Sequence, residues 1–167
     1  MNRVVVTGLG VISPVGNDVA AFWQSLIEGK CGIGPITAFD TTEYKVKIAA
    51  EVKAFDPLQY LDKAEARKQD RFSQFAVAAA SQAMADSGLE SGSNIDSFRL
   101  GVYIGTGTGG MQSFLTESAK LLEKGPSRTS PFFIPMMIGN MAAGNVALRF
   151  HAQGPSLPIM TACATST

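Results

Sequence analysis

The stretch "GPSLPIMTACATST", residues 154–167, places an apolar run (157–160) directly before a cluster of small residues with one thiol, Cys163, among them. A short apolar run bounded by Gly and Pro reads as a strand, and the small residues after it read as a turn. The strand thus delivers Cys163 to an elbow. The same order appears upstream, where the apolar run 100–104 enters "GTGTGG" (105–110), residues 112–124 follow with helical spacing, and Gly125-Pro126 stops them. Alternation of this kind predicts an α/β domain with a mostly parallel, covered sheet.

Working back to the start, residues 3–7 are a β-branched run ended by Gly8-Leu9-Gly10, which predicts a buried strand. Asn17 reads as the cap of a helix carrying Ala21, Phe22, Leu26 and Ile27 at helical spacing, closed by Gly29. "YKVKIAAEVK" (44–53) reads as one or two strands. Asp70 predicts an N-cap for a helix whose Phe72, Phe75, Ala76, Ala79, Ala80, Ala83 and Met84 form a broad apolar face before Gly88. Its alanines imply close packing against neighbouring backbone. Pro135 predicts the first turn of a further helix, and "MMIGNMAAGNVALRF" (136–150) is apolar on nearly every side, as in a core or subunit-interface helix.

With 167 residues, 46% hydrophobic, 17% charged and no net charge, the chain has the composition of one globular domain rather than a disordered or collagen-like one. Zero net charge argues against a nucleic-acid-binding surface, although a local basic patch can still recruit an acidic partner. No run reaches the ~18 apolar residues of a membrane helix, and the longest candidate, 132–138, is broken by Pro135. A cytoplasmic protein with no membrane span is expected. Its two cysteines, Cys31 and Cys163, are too few for a disulfide scaffold. No metal and no cofactor is called for.

"GTGTGG" matches the G-x-G-x-x-G dinucleotide fingerprint, with Glu123 at about the right distance for a ribose contact. That chemistry needs the acid at the tip of a second parallel strand, whereas Glu123 falls inside a helical stretch followed by polar residues. The competing reading is a loop whose missing side chains let another backbone or a slender chain pass close by. Cys163 is also ambiguous on composition alone, because most free cysteines are small buried hydrophobes. At a strand-to-helix elbow it would be a nucleophile instead. Lowering a thiol pKa from about 8.5 to about 7 gains only about threefold in rate once nucleophilicity falls. Backbone N–H groups holding an oxyanion are worth about 10² to 10³, so an elbow points to acyl transfer.

Four motifs in order, "VVVTGLGVISPVG" (4–16), "IGTGTGG" (104–110), "GPSRTSPFFIPMMIGNMAAG" (125–144) and "GPSLPIMTACATS" (154–166), closely resemble the β-ketoacyl-acyl-carrier-protein synthases of type II fatty-acid synthesis, the elongating KAS II type especially. The resemblance implies a thiolase-like αβαβα fold, a homodimer and acyl carrier protein as partner. It makes Cys163 the nucleophile, with its own N–H an oxyanion donor. Ala162 and Thr108 would line the acyl pocket, Phe133 and Ile134 would reach into the pocket of the partner subunit, and Lys63, Arg67, Lys68, Lys124 and Arg128 would dock the acidic carrier. The family's two catalytic histidines, its lysine and its second oxyanion loop match nothing here, so the chain reads as the N-terminal part of a synthase. His151 matches no catalytic motif and reads as a surface or loop residue. Thr108 stands where the family commonly carries a bulkier apolar side chain, which leaves chain-length preference open. Cys31 reads as structural. The alternatives of the same fold are a non-catalytic, chain-length-setting partner subunit, against which the retained thiol argues, and a polyketide ketosynthase.

Overall fold

The helices opening at Val19, Lys63 and Arg71 each follow an aspartate whose carboxylate accepts from a first-turn amide. A computed structural model describes residues 3–166. In chain order it contains α1 (Val19–Ile27), β1 (Ile33–Pro35), β2 (Ile48–Ala50), α2 (Lys63–Ala66), α3 (Arg71–Ser87), β3 (Val102–Gly105), α4 (Met111–Lys124), α5 (Phe133–Met137), α6 (Met141–Arg149) and β4 (Ser156–Ile159), with single 3₁₀ turns between several of them. The cap of α1 is Asp18, whose carboxylate accepts from the Ala21 N–H at 2.7 Å. Asn17, the expected cap, instead donates its Nδ2 to the Lys53 carbonyl at 2.8 Å. An ionised carboxylate is the stronger acceptor for amides at a positive helix end, which is why the cap falls one residue later.

Asp70 caps α3 as expected, and Gly88 ends that helix in the left-handed conformation at φ 63°. The same carboxylate accepts from the Ser113 N–H at 2.8 Å. It therefore serves the first turn of α4 too, whose own N-terminal glycine offers no side chain. One anion thus neutralises two helix N-termini and fixes α4 to α3.

Helix α3 is the centre of the molecule. Val77 and Ala78 are fully covered, and Leu61, Val102, Ala143 and Val146 complete the core. The small faces of α3 and α6 let their backbones approach, with Asn145 Nδ2 donating to Ser73 Oγ at 2.8 Å across the contact. Gly8 and Gly10 explain the N-terminal glycines, since a Cβ on Gly10 would lie 1.9 Å from the Ala79 carbonyl oxygen of α3.

Three expectations need correction. Residues 3–7 form no strand, and Val4, Val5 and Val6 are 96, 63 and 79% exposed. The chain there is pinned to α3 through Leu9 N–H on Asp86 and Val11 N–H on Gln82, and no strand of the described residues runs beside it to accept a ladder. The covered sheet is smaller than expected: β3 and β4 form a two-stranded parallel pair in register from Val102 opposite Ser156 to Gly105 opposite Ile159. Helix α6 packs on one side of it, and all four residues of β4 are exposed. The predicted single helix from Pro135 onward is two, because Ile138 adopts extended backbone (ψ 136°) and Gly139 is pressed against Met160 and Thr106. Leu148 is left 72% exposed, so α6 is a core helix on one face only.

The segment 44–53 contributes one strand, β2, antiparallel to β1. His151 lies on an exposed turn at φ 51°, as read from its sequence context. Among the described residues no helix is long and apolar enough to cross a membrane.

Candidate active site

The parallel pair β3–β4 ends in two loops that must share one space. Beyond β3, Thr106 N–H donates to the Ile159 carbonyl at 3.2 Å, the last rung of the ladder, and the glycine loop 105–110 then folds back. Gly109 takes φ 75°, its N–H donating to Thr106 Oγ1 at 3.1 Å, and the Gly110 N–H donates to the Met137 carbonyl at 2.8 Å. Added Cβ atoms at Gly109 and Gly110 would stand 2.5 Å from the Met137 and 2.2 Å from the Met136 carbonyl oxygens. The slender object that these glycines admit is the chain's own backbone at 136–139. The dinucleotide reading loses Gly110 of its fingerprint to this packing, and Glu123 lies within α4 as anticipated.

Beyond β4 the chain passes Met160 and enters the elbow. Ala162 sits in the left-handed region at φ 50°, where a Cβ is crowded and a residue persists only if its surroundings hold it. What holds it is a small knot: the Thr161 N–H donates to Thr165 Oγ1 at 2.9 Å, and the Ala164 N–H to the Thr161 carbonyl at 3.1 Å. The 3₁₀ turn Ala162–Ser166 then carries Cys163, whose thiol is exposed. Among the described residues the Cys163 N–H has no acceptor. A nucleophile and a free backbone donor on one residue form half of what acyl transfer requires.

Thr108 is exposed at the tip of the glycine loop, and its hydroxyl makes no hydrogen bond among the described residues; the local turn bond is supplied by Thr106. Phe133 and Ile134 lie on α5, which leads into the segment that the glycine loop grips. Phe133 is half-buried with its ring 6.3 Å from that of Phe114, and Ile134 is 54% exposed. Cys31 is exposed too, so it is not a packing residue of the core.

Of the two basic segments, the end of α2 approaches the stretch that follows α4. Lys63, Arg67 and Lys68 occupy α2 and its end, while Lys124 and Arg128 flank the turn after α4. Lys68 Nζ lies 5.1 Å from the centre of the Phe132 ring, a cation–π contact to the residue just before α5. Arg67 lines a cleft with Arg71, Lys120 and Ser130. Lys120 was invisible to sequence reasoning because its role depends on Glu117, one turn before it. Glu117, 4% exposed, accepts from Lys120 Nζ at 2.5 Å and from the Ser130 N–H at 2.7 Å. The Lys120 hydrogen bond first, and the Ser130 amide second, hold its carboxyl below the ordinary 4.5.

A depressed carboxyl stabilises the fold above its ordinary titration range and loses that contribution as pH falls through the depressed value. The turn 126–131 is therefore expected to loosen from α4 in acid. Hydrogen-exchange protection of the Ser130 amide, corrected for intrinsic rates, should fall below about pH 4.5, and Glu117→Gln should flatten that dependence. Constant protection from pH 7 to pH 3 would contradict it.

Comparison with known proteins agrees with this geometry. The chain is 49% identical over 165 residues to a 3-oxoacyl-(acyl-carrier-protein) synthase 2 of Synechocystis sp., covering 99% of this chain and 39% of that relative. It is 47% identical over 165 residues to the Staphylococcus aureus (strain COL) protein of the same name, with 99% of this chain and 40% of the relative covered. Among solved structures it superimposes on the ishigamide ketosynthase/chain length factor with TM-score 0.84 and 27% identity, over 94% of this chain and 39% of that one. A type II polyketide ketosynthase in complex with its acyl-carrier protein follows at TM-score 0.75 and 27% identity, over 92% and 40% of the two chains. The chain thus spans about two fifths of the length of these relatives, and its fold is the corresponding part of the thiolase-like ketosynthase fold. The family model for the beta-ketoacyl synthase N-terminal domain matches residues 1–167 from end to end, and the chain belongs to that family.

Proposed function

We propose that the intact protein is a condensing enzyme that elongates acyl chains in fatty-acid synthesis. The observation that carries this reading is Cys163, exposed one residue beyond the left-handed Ala162 with its own N–H free. An acyl group carried as a thioester on acyl carrier protein is attacked by the Cys163 sulfur. The new S–C bond forms, the carrier thiol leaves, and the oxyanion between them is received in part by the Cys163 N–H. Malonyl-acyl-carrier-protein then loses CO₂, and its carbanion attacks the acyl-enzyme, freeing the thiol. The histidines and lysine that serve the decarboxylation in this family match no position in these 167 residues.

Thr108 and Ala162 line the acyl pocket in this reading, and the free Thr108 hydroxyl at the loop tip supports that placement. Phe133 and Ile134 complete the pocket of a second copy in a homodimer; the exposure of Ile134 supports this. The protein is placed in the cytoplasm, where its thiols stay reduced. The likeness to a ketosynthase/chain length factor keeps a chain-length-setting subunit as the second reading, and the retained Cys163 weighs against it. Incubation of the full-length protein with an acyl carrier substrate and no malonyl donor decides between them. One acyl group should appear on the peptide containing Cys163, and its absence there would overturn the condensing-enzyme reading.

The lysines and arginines of these two segments are the docking surface for the acidic carrier. Reversing Arg67, Lys68 and Arg128 to Glu is expected to raise KM for carrier-bound substrates by roughly tenfold or more, through lost steering and contact. KM for small acyl-thioesters should stay within twofold of its unmodified value, and an equal rise for both substrates would sink the docking assignment.

A further inference from the structure

Glu117 is the most deeply covered charged side chain among the described residues. A carboxylate is costly to bury unless it is paired and hydrogen-bonded, and here Lys120 Nζ and the Ser130 N–H supply both partners. The Ser130 bond ties the turn after α4 back onto that helix. The other backbone bonds of the turn are local, Arg128 N–H to the Gly125 carbonyl and Thr129 N–H to the Pro126 carbonyl, each at 3.2 Å. Ser130 passes the restraint on. Its Oγ accepts from the Phe132 N–H at 3.1 Å and its carbonyl from the Phe133 N–H at 3.0 Å, at a start of α5 where Phe132 offers no side-chain cap of its own. Phe132 is the ring that Lys68 Nζ sits over, and the exposed Arg128 lies two residues before Ser130. Both cations are thus reached through Ser130.

We propose that Glu117 is a positioning residue for carrier docking: its carboxylate holds Ser130, and through Ser130 the turn bearing Arg128 and the Phe132 ring on which Lys68 rests. This role rests on the docking reading given above, and Glu117, being buried, acts without touching the carrier. Net charge alone predicts the opposite behaviour. Removing Glu117 leaves Lys120 without its partner and adds one unit of positive charge to the wall of the cleft shared with Arg67, Asp70 and Arg71. An acidic carrier drawn only by the sign of the surface would bind such a variant better. A carboxylate that positions the docking cations must instead weaken carrier binding when it is lost.

In the full-length protein, Glu117→Ala is expected to raise KM for carrier-bound substrates roughly fivefold, within the range by which residues touching no ligand alter binding elsewhere. Both kcat and the KM for small acyl-thioesters should stay within twofold. Glu117→Gln makes the same charge change but keeps an oxygen for the Ser130 N–H, so its carrier KM should remain at or below the unmodified value. Ser130→Ala leaves the Glu117–Lys120 pair intact and cuts only the hydroxyl bond to Phe132. It should raise the carrier KM selectively and by less, and it carries the test if Glu117→Ala does not fold, the absence of a selective rise then overturning the proposal. A carrier KM unchanged or lowered in Glu117→Ala, an equal rise for both kinds of substrate, or a Gln variant that behaves like the Ala variant would each overturn it as well. The docking surface survives those outcomes if reversing Arg67, Lys68 and Arg128 still raises the carrier KM; if that reversal has no selective effect, the docking surface falls and the role of Glu117 falls with it.

Discussion

Cys163→Ala should remove acyl transfer from the full-length protein, with kcat/KM falling by on the order of 10⁴ to 10⁶, the scale seen when a catalytic nucleophile is deleted. The second thiol, Cys31, lies in a different recess beyond α1, away from the ends of β3 and β4. Both thiols are exposed, so accessibility does not separate them; the separation comes from the strained Ala162 beside Cys163 and from its place at the end of β4. The fold should be unaffected, because an exposed thiol contributes little packing. Iodoacetamide inactivation should track modification of Cys163 and proceed unchanged in Cys31→Ser. If activity survived in Cys163→Ala, or were lost in step with Cys31 modification alone, the nucleophile assignment would be wrong.

Gly105→Ala should be the most damaging single methyl group in the site. A Cβ there would stand 1.9 Å from Thr165 Cγ2 and 2.8 Å from the Ile159 carbonyl oxygen. Thr165 cannot simply rotate away, since its hydroxyl accepts from the Thr161 N–H and closes the knot that holds Ala162 left-handed. The Ile159 carbonyl is equally committed, being the acceptor of the last rung from Thr106. The added methyl therefore displaces the elbow itself. Overpacking of this kind costs about 1–3 kcal/mol of stability, and misplacing a reacting atom by about 1 Å costs on the order of 10² in rate. Thermal denaturation together with kcat/KM for a small acyl-thioester measures both. Activity within twofold of the unsubstituted protein would show that the elbow does not depend on the glycine.

The sequence alone determined what rests on local chemistry. Gly88 at φ 63° ends α3 because a left-handed cap needs no Cβ, and Asp70 begins that helix because its carboxylate reaches the Phe72 amide. Glycines at 105–110 announce close backbone approach, and an apolar run followed by small residues announces an elbow with a thiol on it. Four ordered motifs were enough to indicate the family. Tertiary structure decided everything that needed a second segment to be in place. Residues 3–7 have strand propensity, but a strand exists only with a neighbour to share its hydrogen bonds, and none of the described residues supplies one. The break at Ile138 is not written in "MMIGNMAAG"; it arises because Gly139 must fit under Met160 and Thr106. Asp70 as cap for α4, Glu117 as anchor for Ser130, and Lys68 over Phe132 link residues 43, 13 and 64 positions apart. Periodicity reports only neighbours within a turn or along a strand, whereas an ion or amide is satisfied by whatever the completed fold brings within about 3 Å of it.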